Sequence, residues 1–109
     1  MNRELKPQPN FYQFKEFVRE AVKEKTGLDD IDDRQRWLEI GDEEKRQEIL
    51  YSLKAFLEGE YGVEMPLPDN AENADIYFES MCIQLHHTYS NVYLMERINR
   101  KVMRNRYRN

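Results

Sequence analysis

From Ala71 to Tyr107 the chain contains neither glycine nor proline, a run of 37 residues without a strong helix breaker. As one helix it would be about 55 Å long at 1.5 Å per residue. A compact globule of this length is only about 35 Å across. Two outcomes satisfy both numbers: the helix breaks, or its end projects from the body. Ser90-Asn91, a pair of cap-type residues, is the break point in the first case. In the second, Phe78, Met81, Leu85, Thr88, Val92, Met95, Asn99 and Val102 keep a 3-4-3-4 spacing across that point. A sustained heptad of this kind is a helix-packing or dimerisation seam. The sequence leaves both outcomes open.

The rest of the chain reads as shorter helices between clear breaks. Phe11, Phe14, Phe17, Val18, Ala21 and Val22 form one apolar stripe from Asn10 to about Thr26. Asn10 and Gln13 have capping-box spacing, and Gly27 stops the helix. Asp32 and Gln35 repeat that spacing, so a short second helix is predicted from Asp33 to Ile40, inserting Trp37. A third helix follows the Asp42 cap, with Glu43 and Glu44 at the positive end of its dipole. Its inward stripe is Ile49, Leu50, Leu53, Phe56, Leu57 and Tyr61, and Gly62 closes it. Pro66 and Pro68 make residues 62–68 a loop. Asp69 and Glu72 are again a capping pair, so the long helix is predicted to start there. The predicted fold is all-α: a single domain over residues 1–109, four or five helices in an irregular bundle, with residues 1–9 as a flexible lead.

Charge is laid out unevenly. The chain totals −4, yet residues 96–109 hold six Lys/Arg and one acid, so residues 1–95 carry −9. On a helical wheel Arg97, Arg100, Lys101, Arg104 and Arg108 share an arc of about 100°, with Met95, Ile98 and Val102 towards the other side. Such a helix packs by one face and offers a cationic stripe on another. Charge runs are also ordinary solvated faces, and cations suit the last turns of any helix. Against nucleic acid stand the −9 of the body and the lack of zinc-finger spacing, RNP-type aromatics or a phosphate loop. The stripe is therefore read first as a protein-docking surface and second as a nucleic-acid contact. Its counterpart is the segment 29–44, which holds eight acids and two arginines. Asp29, Asp30, Asp33 and Glu39 are its candidate docking residues, for a basic partner, for the chain's own tail or for a second copy. Calcium-loop spacing fails there, because Arg34 and Gly41 occupy positions where carboxylates belong.

Glu79, Cys82 and His86 fall on one helix face, within reach of a common ion or as a thiolate beside an imidazole. A fourth ligand and the CxxC or HExxH spacings are missing, so no metal, cofactor or catalytic site is assigned. Cys82 lies among Met81, Ile83 and Leu85 as a small core residue would. As the only cysteine it excludes an intrachain disulfide, and a reducing, cytoplasmic setting is expected. No apolar run reaches the length of a membrane span. Tyr61, Tyr77, Tyr89, Tyr93 and Tyr107, with Met65, Met81, Met95 and Met103, suit either an irregular core or an interface. The expected function is non-enzymatic: a regulator or inhibitor that acts by surface docking, with a homodimer through the C-terminal helix as one form. Phage- and mobile-element-encoded regulators share this size and charge, an analogy of composition only.

Overall fold

The computed structural model describes residues 6–106, with side chains through residue 103. Three α-helices form, α1 (Phe11–Thr26), α2 (Glu43–Tyr61) and α3 (Phe78–Arg106), joined by two non-helical segments that each hold one 3₁₀ turn. No β-strand occurs among the described residues. The second segment packs back on the first through an isolated antiparallel bridge between Arg36 and Tyr77.

α1 and α2 start and stop where their caps dictate. The Asn10 side chain accepts from the Gln13 amide and the Gln13 side chain accepts from the Asn10 amide, closing the capping box. Asp42 accepts from the Lys45 amide. Gly27 and Gly62 both adopt left-handed φ, 77° and 73°, and return their N–H to the carbonyls of Lys23 and Glu58. Without a Cβ they reach that conformation freely. The inward faces carry Phe14, Val18, Ala21 and Val22 on α1, and Ile49, Leu50, Leu53 and Leu57 on α2. Phe56 departs from expectation: it is 43% exposed and stacks on Phe17 at the surface, ring centroids 4.7 Å apart.

The predicted helix from Asp33 to Ile40 does not form; only Trp37–Glu39 makes a 3₁₀ turn. Its backbone groups are used over long range instead. The carbonyls of Gln35 and Asp33 accept from the amides of Phe78 and Glu79 at 2.7 and 3.0 Å, and the Trp37 amide donates to the Ile76 carbonyl at 2.8 Å. Those first amides of α3 have no partner within their own helix, so segment 33–37 acts as their cap. Asp32 caps nothing helical; it accepts from the Arg34 amide, two residues on, in a local turn. Likewise α3 begins at Phe78, not Asp69. Ala71–Asn73 is a separate 3₁₀ turn, and the Ala71 carbonyl accepts from the buried Trp37 indole at 2.9 Å.

Arg46 binds these segments together. It is only 7% exposed, and its guanidinium donates to the carbonyls of Glu72, Leu38 and Gly41 at 2.6, 3.0 and 2.6 Å. α3 runs unbroken through Ser90 and Asn91, and the molecule measures 55 × 22 × 22 Å. Of the two outcomes for the long helix, projection is the one observed.

Candidate functional site: the projecting end of α3

α3 packs on the body through Phe78, Cys82, Leu85, Tyr89 and Tyr93, all buried. The N-terminal approach holds the last of these turns: the Tyr93 hydroxyl donates to the Lys6 carbonyl, and His86 Nε2 lies 3.3 Å from the Pro9 carbonyl. One turn beyond Tyr93 the same face changes character. Glu96 and Arg100 occupy it, joined by an ion pair of 2.9 Å. Glu96 also borders a shallow cleft against Glu58, Val63, Glu64 and Pro66. From Arg97 to Arg106 the helix continues for about 15 Å at 1.5 Å per residue.

The projecting end keeps a two-sided pattern. Leu94, Met95, Ile98 and Val102 stand 47%, 58%, 53% and 49% exposed along one face. Beside them Arg97 and Lys101 are exposed, while Arg100 is half-buried through its pair with Glu96. The backbone of Arg104 lies in the helix; its side chain, and all of Arg108, fall outside the described residues. The heptad seam divides in the same way. Phe78, Met81 and Leu85 are buried, Thr88 and Val92 half-buried, and Met95, Asn99 and Val102 exposed. A 3.5-residue repeat on a straight helix of 3.6 residues per turn drifts about 20° per heptad. The seam therefore rotates off the body as it ascends.

The acidic positions lie at the other end. The Glu79 amide bonds to Asp33, so segment 29–44 sits beside the first turn of α3, and about 27 Å of helix separates Glu79 from Arg97. Through Arg106, the last described residue of the tail, α3 does not fold back on this segment. Asp30 and Glu39 are exposed, and Asp29 is exposed with Lys23 3.2 Å away. Asp33 is engaged within the fold, between Lys15 at 2.5 Å and Arg19 at 3.1 Å, with its side chain still 39% exposed. The hydrogen bond from Lys15 holds its carboxyl below the ordinary carboxylate range, against the effect of burial. Lys15 also reaches Glu79 at 3.2 Å. Burial works against its charge, but the bonds to Asp33 and Glu79 outweigh that and raise its pKa. Neither Lys15 nor Arg46 was identified from the sequence. Both continue an inward 3-4 spacing, Phe11-Lys15-Val18-Val22 and Arg46-Ile49-Leu53-Leu57, which is the signal that marks them.

Glu79, Cys82 and His86 share a face and serve three separate purposes. Glu79 pairs with Lys15, and His86 packs edge-on to Phe11 and Phe14. Cys82 is fully buried, and desolvation pushes its thiol up to about 12. Among the described residues no group of three or more His, Cys, Asp or Glu is placed to hold a metal ion, and no helix is long and apolar enough to cross a membrane. Compared with known proteins, the chain matches no protein family, no curated relative and no solved structure.

Proposed function

We propose that this protein is a non-enzymatic docking factor, a regulator or inhibitor whose binding element is the projecting end of α3. One observation carries the reading. The helix leaves the body near Glu96 and yet presents Leu94, Met95, Ile98 and Val102 to solvent beside Arg97 and Lys101. A helical end of ten residues is marginal in water by itself, and most helical stability comes from burying an apolar face. A partner groove supplies that burial: apolar along its floor, carboxylate-lined along the edge that meets the cations. This is helix-in-groove recognition. Attraction between the basic stripe and the acidic rim accelerates encounter and weakens as salt rises.

One feature favours a second reading, a nucleic-acid contact. The cations begin about 27 Å of helix from Glu79, which sits beside the acidic segment 29–44, and that exceeds the Debye length of about 8 Å at physiological salt, so this segment's charge opposes phosphate binding less than its magnitude suggests. The apolar stripe weighs the other way, since a phosphate backbone gives it nothing to bury against. A photo-crosslinking residue at position 98, with position 69 as control, distinguishes the two in cells. Docking is supported by position-98 crosslinks to protein that vanish in the Arg97→Glu/Lys101→Glu variant. Crosslinks to nucleic acid, or none above the control, overturn it.

A further inference from the structure

The surface between α1 and α2 has the properties that the projecting helix calls for. A groove of about 730 Å³ runs between them, floored by Phe17, Ala21, Leu53 and Phe56. Phe17 and Phe56 form an aromatic pair there, tilted 58° to each other, and Phe56 is the most exposed part of the floor. Glu20 and Glu24 stand on the α1 rim, and the Ser52 hydroxyl approaches Glu24 from α2 at 3.5 Å. Lys23 on the same rim is turned to Asp29. Glu20 and Glu24 are four residues apart, as are Arg97 and Lys101, so each pair is separated by about 6 Å of helical rise. Leu94, Ile98 and Val102 repeat at the same interval beside the cations.

The groove is out of reach of the chain's own tail. α1 runs antiparallel to α3, with Phe11 beside His86 and Lys15 beside Glu79. The groove extends from Phe17 towards the end of α1, past the level at which α3 starts, while the tail leaves from the opposite end. We infer that the α1/α2 groove of one copy receives the projecting end of α3 of a second copy, with Leu94, Ile98 and Val102 on the aromatic floor and Arg97 and Lys101 against Glu20 and Glu24. The contact joins two different surfaces at opposite ends of the molecule, so two antiparallel copies satisfy it reciprocally in a closed pair, and copies in line satisfy it head to tail. It rests on the docking role proposed above for the tail and names the groove that the tail enters.

Sedimentation of the full chain across a concentration series tests it. Wild type grows in mass with concentration, to a closed pair or beyond it, and the growth recedes at high salt. Phe56→Asp damages only the groove, and Ile98→Asp only the tail; both sites are surface positions, and circular dichroism verifies folding. Each variant alone is monomeric. Mixed, they form a one-to-one dimer and stop, because one intact tail meets one intact groove. If Ile98→Asp abolishes association and Phe56→Asp leaves it unchanged, the contact is a symmetric α3–α3 pair and the inference is wrong. A wild type that stays monomeric at submillimolar concentration also overturns it. In that case crosslinks from position 98 to a different protein leave the docking role standing, and their absence removes both.

Discussion

Three side chains carry the residue-scale chemistry. Removing the Arg46 guanidinium strands three carbonyls among packed segments. Arg46→Ala is expected to cost about 2 kcal/mol, since hydrogen bonds from a charged group contribute about 1.5–3 kcal/mol and these carbonyls belong to partly exposed residues that water can reach. Urea unfolding measures it, and a loss below 1 kcal/mol, the ordinary surface-pair value, would remove Arg46 from this role. Asp33 makes stability depend on pH. Its folded pKa is depressed, so its contribution is complete above the unfolded carboxyl value of about 3.9 and disappears as pH falls through the lower folded value. The Lys15 pKa is raised, so that contribution is complete below about 10.4 and is lost as pH rises through the higher folded value. Asp33→Asn should cost about 1–2 kcal/mol near neutrality, a charged hydrogen bond discounted for exposure, and should flatten the acid limb of a stability–pH profile. Cys82, with its thiol pushed up to about 12 and no access to solvent, should resist maleimide under native conditions and react only as the protein opens. Labelling as fast as in urea would contradict its burial.

At the scale of elements, legibility tracked how local the determining interactions are. α1 and α2 were readable to their caps because Asn10, Gln13, Gly27, Asp42 and Gly62 act within a few residues of themselves. The segment 33–40 was misread because Asp32 and Gln35 carry a local helix signal that pairing with residues 76–79 overrides. Nothing near Asp33 in sequence announces that its carbonyl will cap a helix beginning at Phe78. Phe56 was misplaced for a different reason: it lies at the edge of a 3.6-residue stripe whose width the sequence does not define, and Leu53 and Leu57 already fill the inward arc. Met65 and Val63 are both buried; the sequence leaves Met65 between core and interface and does not mark Val63, because loops have no period to read. The cationic tail was visible as charge, whereas its separation from the acidic segment needed the unbroken course of α3. Because the end of α3 beyond Glu96 contributes little packing to the body, deleting residues 97–109 should change the stability of the remainder by less than about 1 kcal/mol, as surface changes do. A substantially larger loss in urea unfolding would mean that the tail packs on the body.

For the whole molecule the governing number is shape. The Cα radius of gyration is 15.7 Å, against about 13 Å for a compact chain of this length. X-ray scattering of the Ile98→Asp variant, chosen to suppress association, should return the larger value, and the smaller one would mean that the tail folds back. The cap that segment 33–37 places on α3 also dictates a schedule. The amides of Phe78 and Glu79 must wait for acceptors more than a third of the chain away, and those acceptors are positioned only once Trp37 is seated. The α1–α2 hairpin, closed by nearer contacts, is therefore the expected nucleus, and α3 acquires its register late. Kinetics would reveal this order: Leu53→Ala should mainly retard refolding, whereas Phe78→Leu should mainly hasten unfolding. On a ribosome the same order means that α3 emerges after the segments on which its first turn depends, so its start is fixed by chain already made, while its far end is the part that the proposed docking role offers to a partner.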